Sequence, residues 1–272
     1  MNVLDFDLKK VEGEKISMVT AYDFFSAKSV EAARVDCILV GDSVGMVVHG
    51  YEDTLSVDVP MMELHTKAVR KGAPNTFVIS DLPFLSYRVG LEKAVENAGV
   101  LIRAGANAVK LEGARGNLEL VEHLVDSGIP VMGHLGLTPQ SVNSLGGFKV
   151  QAKTLEARKR LLDESKALEA AGCFSLVLEC VPREVASEIT QELGIPVIGI
   201  GCGVETDGQV LVWHDLLGCF DQFKPRFVRT FADLKTEAVQ GLKSFVSEVK
   251  TKGFPSKKES FRFVESKKVK SA

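Results

Sequence analysis

Ionisable side chains close five apolar stretches of this sequence. The stretches CILVGD, TFVISD, NAVKLE, PVMGHL and SLVLEC carry Asp42, Asp81, Glu112, His134 and Glu179 at or near their carboxyl ends. Any one of them alone is equally well explained as a helix N-cap or a paired surface carboxylate. Because five such residues follow consecutive apolar stretches, we interpret them as members of one shared site.

A metal ion is the chemistry that these side chains favour. Carboxylates crowded into one dry cleft repel one another and need a proton, a lysine or a cation beside them. Oxygen ligands dominate here and no His/Cys cluster accompanies them, which favours Mg²⁺ first and Mn²⁺ second. Asp42 and Asp81 are the predicted primary ligands. Glu112 is predicted to join them directly or through a water, because Mg²⁺ usually keeps several waters.

The sequence is compatible with more than one role for each of three further residues. Lys110 shares a strand face with Glu112, and it could neutralise the carboxylates, clamp a substrate carboxylate or form a Schiff base. Glu179 lies on a separate stretch and is predicted to act as a general base, although it could instead orient a neighbouring helix. His134 could hydrogen-bond a substrate oxygen or be a satisfied core histidine.

Strands and helices alternate in the sequence pattern that must position these residues. Short apolar stretches separated by amphipathic segments predict parallel strands covered on both faces. Strands are predicted at 16–22, 37–42, 76–81, 107–112, 130–135, 175–180 and 196–202, with a weak eighth at 226–231. The clearest helices are predicted at 91–105, 117–128, 154–172 and 183–194, each ending at a glycine.

The alternation predicts a single-domain (β/α)₈ barrel, also called a TIM barrel. Eight strand–helix units in about 250 residues match the size of that fold, and its carboxyl-end mouth would gather the five ionisable side chains. The rival is an open doubly wound sheet, but the first strand leads into AYDFFSAK rather than a glycine-rich turn. We predict the barrel over 1–261, a lid or binding loop at 136–153, and a basic, mobile tail at 262–272.

Composition argues against several other classes of protein. A net charge of -3 over 272 residues gives no basis for binding nucleic acid. No apolar stretch is long enough to span a membrane, and the first residues lack the apolar region of a signal peptide. The five cysteines are scattered without a CxxC pair, which argues against zinc and predicts a reducing, cytoplasmic setting.

Seven segments in order resemble the signature segments of the ketopantoate hydroxymethyltransferase family. They are TAYD, LVGDSVGM, DLPF, VKLEG, GHLGLTPQSVN, LVLECVP and PVIGIGCG, within a resemblance that runs from about Ile16 to Phe261. The resemblance implies a (β/α)₈ enzyme of pantothenate, and hence coenzyme A, biosynthesis. Two features depart from it: Cys202 stands where family members commonly have alanine, and the basic tail extends past the shared segments.

The resemblance also implies a reaction and roles for the site residues. A hydroxymethyl group would pass from 5,10-methylenetetrahydrofolate to 3-methyl-2-oxobutanoate, giving 2-dehydropantoate, in a homo-oligomer that is commonly a decamer. One Mg²⁺ per subunit would be held by Asp42 and Asp81, with Glu112 in its environment, and Glu179 would be the base. The 2-oxoacid would contact Asp42, Ser43, Asp81 and Lys110.

Rival functions remain open at this point. A Mg²⁺-dependent C–C lyase or mutase of 2-oxoacids could use a related barrel. Many such enzymes carry a reactive cysteine on a mobile loop, and the corresponding stretch 45–57 has none. A Schiff-base aldolase would depend on Lys110. A barrel that binds a 2-oxoacid without turning it over is the remaining alternative.

Overall fold

The computed structural model of the chain describes residues 1–220 and 225–263. Eight parallel strands in this part of the chain close into a barrel, and each strand pairs with the next in sequence until β8 pairs with β1. The strands are β1 Ile16–Thr20, β2 Cys37–Val40, β3 Phe77–Asp81, β4 Ala108–Glu112, β5 Val131–Gly136, β6 Ser175–Glu179, β7 Val197–Ile200 and β8 Gly208–Leu211. The predicted single-domain (β/α)₈ barrel is confirmed.

Helices surround the barrel, and the four clearest sequence predictions are present as α5, α6, α8 and α9. The helices are α1 Val3–Glu12, α2 Phe24–Ala32, α3 Val44–Val47, α4 Val59–Gly72, α5 Leu91–Arg103, α6 Leu118–Asp126, α7 Val142–Leu145, α8 Leu155–Ala170, α9 Arg183–Glu192, α10 Trp213–Leu216 and α11 Leu234–Lys250. Thr154 caps α8 by accepting a hydrogen bond from the Ala157 amide. Among the described residues, every helix is too short or too polar to cross a membrane.

The strands read as continuously apolar because both of their faces are buried. Outward residues such as Val78, Leu111 and Leu176 pack under the helices in the larger core cluster. Inward residues such as Met18, Ile79 and Met132 fill the barrel in a second cluster. Alternation along each strand therefore supplies two cores, and it decides which terminal side chains point into the mouth.

The amino-end floor of the barrel is closed by an aromatic cluster. Phe6 of α1 is fully buried and meets Phe77 and Phe174 edge-on, with ring centroids 5.4 and 5.1 Å away. Edge-to-face packing at this spacing is favourable beyond the area that it buries. Phe6 thus seals the end of the barrel that lies opposite the ionisable side chains.

The predicted eighth strand was wrong. Residues 226–231 form turns and irregular backbone, and the true β8, Gly208–Leu211, follows β7 after a connection of residues 201–207 that contains no helix. The apolar residues at 226–231 misled the prediction because Val228 is buried within a loop. β8 itself gave a weak signal because it begins with a glycine. A Cβ at Gly208 would come within 2.4 Å of the Ile16 carbonyl oxygen, so only glycine lets β8 approach β1.

The long polar segment after β5 is ordered at both ends. It contains a 3-10 turn, Pro139–Ser141, and the short α7, and it ends where the Gln151 amide donates to the Cys180 carbonyl at 2.9 Å. Gln140, within the 3-10 turn, is buried. The predicted basic tail at 262–272 stays a prediction, since residues 264–272 lie outside the described residues.

Candidate active site

Inward-pointing side chains change from apolar to ionisable towards the carboxyl ends of the strands. Along β3 the inward residues run from Phe77 and Ile79 to Asp81, and along β6 they run from Val177 to Glu179. The same progression on β4 and β5 ends in Lys110, Glu112 and His134. Strand alternation thus brings the predicted strand-end residues to one mouth, and Asp42 joins them from just beyond β2.

Asp42, Asp81 and Lys110 form a buried ionic cluster. Each is at most 4% exposed. The Lys110 ammonium Nζ lies 3.0 Å from Asp81 Oδ1, and the Asp42 amide donates to Asp81 Oδ2 at 3.1 Å. β3 and β4 place Asp81 and Lys110 directly beside each other in register, which sets this contact. A single lysine therefore faces two buried aspartates.

The electrostatics of the cluster show a shortage of positive charge. Burial raises the pKa of Asp42 well above its usual value, and the charges of Asp81 and Glu112 raise it further. Burial also raises the pKa of Asp81, although Lys110 opposes that shift. Burial lowers the pKa of Lys110, but the charges of Asp81, Glu112 and Asp42 outweigh burial and hold it above its usual value. The lysine is therefore a firmly charged ammonium.

His134 lies between two glutamates. Its Nδ1 is 3.4 Å from Glu112 Oε1, and its Nε2 is 3.3 Å from Glu179 Oε2. Burial and the Lys110 charge lower the pKa of His134, but the contacts with Glu112 and Glu179 prevail and raise it to about 9. Nδ1 also lies 3.3 Å from Lys110 Nζ. Two cations cannot share a hydrogen bond, so the protonated ring directs Nδ1–H to Glu112.

The cluster fits a hard divalent cation held by two aspartates. Asp42 and Asp81 are buried with raised pKa, and Asp81 Oδ1, apart from its ion pair with Lys110, has no aligned hydrogen-bond donor among the described residues. No group of three or more His, Cys, Asp or Glu in that part of the chain forms a ready metal cage. Two carboxylates plus waters are nevertheless a common Mg²⁺ environment, and a cation would relieve the repulsion between them.

Glu112 has both oxygens engaged with other groups. Oε1 faces His134, and Oε2 accepts a hydrogen bond from the Gln140 amide at 3.0 Å. These contacts favour an interaction of Glu112 with the metal ion through a water molecule over direct coordination. The assignment of Glu112 to the metal stays a prediction.

Ser43 and Cys202 complete the set of residues that the sequence singled out. Ser43 Oγ lies 2.8 Å from the hydroxyl of Tyr22, a fully buried residue just after β1. Cys202 is 1% exposed, and its burial raises the pKa of its thiol to about 11. The cysteine is therefore a packed core residue in this position.

Sequence reasoning missed three residues of the site, namely Tyr22, Tyr87 and Gln140. Gln140 contacts Asp42, Glu112 and Tyr87 from the loop after β5. That loop was predicted as a lid or binding loop, so its place was found although the residue was not. Tyr22 lies in the signature segment TAYD but was given no role there, and Tyr87 gave no signal, because nothing in its local sequence distinguishes it from a core tyrosine.

Comparison with known proteins places this chain in a family. The family model described as "Ketopantoate hydroxymethyltransferase" matches residues 1–257. The 3-methyl-2-oxobutanoate hydroxymethyltransferase of Bdellovibrio bacteriovorus is 55% identical over 95% of this chain and 98% of its own length. The enzyme of the same name from Clostridium botulinum is 52% identical, covering 97% of this chain and 96% of its own.

Solved structures share the barrel at much lower sequence identity. A 2,3-dimethylmalate lyase of the PEP mutase/isocitrate lyase superfamily superposes with a TM-score of 0.59 at 17% identity, covering 95% of this chain and 91% of its own. A phosphonopyruvate hydrolase in complex with oxalate and Mg²⁺ gives 0.62 at 10% identity, covering 95% and 93%. These structures confirm the fold, whereas the relatives at about half identity confirm the predicted acceptor and transferred group. The chain is thus an enzyme that transfers a hydroxymethyl group to 3-methyl-2-oxobutanoate, and it belongs to the ketopantoate hydroxymethyltransferase family.

Proposed function

We propose that the chain performs this transfer with Mg²⁺ held by Asp42 and Asp81, with 5,10-methylenetetrahydrofolate as the one-carbon donor and with Glu179 as the base. The observation that carries the proposal is the pair of buried aspartates that a single lysine cannot neutralise. Glu179 stands beyond His134 from that pair and is 17% exposed, so it can reach a substrate in the mouth.

The bound cation would polarise the keto group of the 2-oxoacid, so that its C3 proton becomes removable. Glu179 takes that proton, and C3 then forms a bond with the methylene carbon of the folate. The two C–N bonds of that carbon break, water supplies the hydroxyl of the product, and tetrahydrofolate leaves. The protonated His134 ring lies at ion-pair distance from Glu179 through Nε2 and from Glu112 through Nδ1, and its charge keeps Glu179 ionised for that role. Ser43, whose hydroxyl lies 2.8 Å from the Tyr22 hydroxyl, is our proposed donor to the substrate carboxylate.

Lys110 supports this reading over a Schiff-base mechanism. A lysine that forms a Schiff base must lose its proton, and sites that use one depress its pKa. Here the surrounding carboxylates raise the pKa of Lys110. We therefore assign Lys110 to neutralising Asp81 and to attracting the substrate anion, and not to covalent catalysis.

The direct test is turnover of 3-methyl-2-oxobutanoate with 5,10-methylenetetrahydrofolate after dialysis against EDTA. We expect 2-dehydropantoate to form only when Mg²⁺ or Mn²⁺ is restored. Asp42→Asn should lose Mg²⁺ binding by calorimetry. Asp126→Asn is the matched control, because Asp126 is an exposed residue that ends α6. Full turnover in EDTA, or unchanged Mg²⁺ affinity in Asp42→Asn, would refute the metal assignment.

The proposal extends to the setting of the enzyme. We propose a homo-oligomer, in line with the decamer that the family resemblance implies. In support, α11 exposes apolar side chains such as Leu242 at 65% and Phe245 at 53%. Light scattering that gave a monomer would contradict this part. We also propose a cytoplasmic location, supported by five free thiols.

A further inference from the structure

Gln140 donates a hydrogen bond to each of two site carboxylates, Asp42 and Glu112. Its side-chain Nε2 donates to Asp42 Oδ2 at 2.7 Å and to the Leu82 carbonyl at 3.0 Å. Its backbone amide donates to Glu112 Oε2 at 3.0 Å. One buried residue from the loop after β5 therefore fixes side chains that follow β2 and end β4.

The Gln140 amide group is held in one orientation by three buried hydrogen bonds, one of them from Tyr87. The Tyr87 hydroxyl donates to Gln140 Oε1 at 2.6 Å, and both residues are at most 6% exposed. Both hydrogens of Nε2 already have acceptors, so every polar group of the amide is used. The reversed amide would set Oε1 against two groups that can only accept, the Asp42 carboxylate and the Leu82 carbonyl, so these two select the orientation. The Tyr87 hydroxyl stabilises that orientation by donating to Oε1.

The two carboxylate oxygens of Asp42 therefore have different environments, because only Oδ2 accepts a hydrogen bond from Gln140. Oδ2 is occupied by the Gln140 amide, and the carboxylate is held at one rotation. A ligand carboxylate that is held by a hydrogen bond loses less freedom when a cation binds, because its orientation is set beforehand. Without that bond, Asp42 would have to be ordered at the moment of binding.

We propose that Gln140 and Tyr87 act as a positioning pair, in which Tyr87 holds the Gln140 amide through Oε1 and Gln140 holds Asp42 and Glu112 for the divalent cation. This inference rests on the proposed function and assigns two residues that the family resemblance did not. Neither residue touches the reacting atoms. Gln140 acts through Asp42 and Glu112, and Tyr87 acts through Gln140.

The test is the affinity of the metal-free enzyme for Mn²⁺, measured by electron paramagnetic resonance without substrate. Gln140→Met keeps the length of the side chain and the backbone amide while removing both side-chain donors. We expect it to weaken Mn²⁺ binding by about 10- to 100-fold, the usual effect of losing a hydrogen-bond partner of a metal ligand. Tyr87→Phe removes only a neutral hydrogen bond and should weaken binding by roughly 2- to 10-fold.

Gln151→Met is the matched control. Gln151 lies in the same loop, but its Nε2 donates only to the Lys149 carbonyl, and the same substitution there should change Mn²⁺ affinity less than about 2-fold. Circular dichroism and thermal unfolding confirm that each variant is folded. If Gln140→Met does not fold, Tyr87→Phe carries the test, and wild-type Mn²⁺ affinity in Tyr87→Phe overturns the inference.

The double variant tests the proposed order of action. Because Tyr87 acts through the amide, adding Tyr87→Phe to Gln140→Met should leave Mn²⁺ affinity within about 2-fold of Gln140→Met alone. A full additional loss would contradict that order. Unchanged affinity in Gln140→Met, when the wild type binds Mn²⁺, overturns this inference alone. Absence of Mn²⁺ binding in the wild type overturns the proposed function and this inference with it.

Discussion

The two ends of the barrel interior are built from the same strands and hold opposite kinds of side chain. At the amino end, Phe77 and Phe174 pack edge-on around Phe6. At the carboxyl end, four residues beyond Phe77 on the same face of β3, Asp81 pairs with a buried lysine. The amino end gains stability from apolar burial and aromatic packing. The carboxyl end buries charges, which is costly unless they are paired, and such pairs are weak sources of stability.

The difference shows how one fold separates stability from chemistry. The stability of the barrel requires apolar packing at its amino end. The carboxyl end instead keeps charged residues, which apolar residues would replace if stability alone mattered. We therefore expect substitutions at the two ends to have opposite signatures. Removing the Asp81–Lys110 pair at the mouth should abolish turnover with little loss of stability. Substitutions at the floor should lower stability and leave turnover unchanged.

The largest expected effect comes from removing the buried pair at the mouth. Asp81→Asn combined with Lys110→Met should lower turnover by at least about 1,000-fold, because the site loses a predicted metal ligand and a charge for the substrate. Its free energy of unfolding should be unchanged or higher by roughly 1–4 kcal/mol, since buried ion pairs are often replaceable. Chemical denaturation and steady-state kinetics measure both quantities.

The single variant Lys110→Met is the comparison for this prediction. It leaves the buried Asp42 and Asp81 carboxylates without the lysine that they face, and we expect a loss of roughly 3–5 kcal/mol in the free energy of unfolding. If the double variant is as unstable as the single one, the mouth contributes to stability as the floor does, and the proposed division between the two ends is wrong.

Opening the floor is the next largest effect. Phe6→Ala should lower the free energy of unfolding by roughly 3–5 kcal/mol, because a fully buried ring is replaced by a cavity. Turnover at a temperature where the variant remains folded should match that of the wild type. Leu8→Ala is the control on the same helix, since Leu8 is 53% exposed and its loss should cost little. A large loss of turnover in folded Phe6→Ala would show that the two ends are coupled.

A pH-dependent effect at the mouth is smaller. His134 has a pKa raised to about 9, against an ordinary value of 6.5, so it favours the folded state most below pH 6.5. That stabilisation, on the order of 3 kcal/mol, should be lost as pH rises through about 9. Urea denaturation in EDTA should show wild-type stability falling relative to His134→Gln between pH 6.5 and 9.5. A constant difference would mean that His134 is neutral in the folded protein throughout.

Much of the fold followed from the sequence because it depends on local pattern. Strands buried on both faces must be continuously apolar, and stretches such as the one through Val78 met that condition. β8 was not predicted, because it is defined by a tertiary contact, the close approach of Gly208 to Ile16, more than by its composition. The connection from β7 to β8 lacks the expected helix, so the strand–helix count itself misplaced the last strand.

The site residues that lie at strand ends were predictable from the sequence, whereas the site residue in a loop was not. Asp81, Lys110 and Glu112 follow from strand alternation, because a carboxyl-end residue of a barrel strand must face the mouth or the helices. Gln140 does not, since its role depends on a hydrogen bond to Asp42 across 98 residues of sequence. The hydrogen-bond partners of a loop residue depend on the folded backbone, so the spacing of residues in the sequence does not predict them.

Hydrogen exchange at C3 of 3-methyl-2-oxobutanoate tests the central claim most directly, namely that a cation at the buried aspartates and the nearby Glu179 together remove that proton. The folate is omitted and exchange is followed by NMR in D₂O. The account predicts Mg²⁺-dependent exchange in the wild type, and a loss of at least about 100-fold in Glu179→Gln with 2-oxoacid binding retained. Exchange at the wild-type rate in Glu179→Gln, or in the wild type stripped of metal, would contradict it.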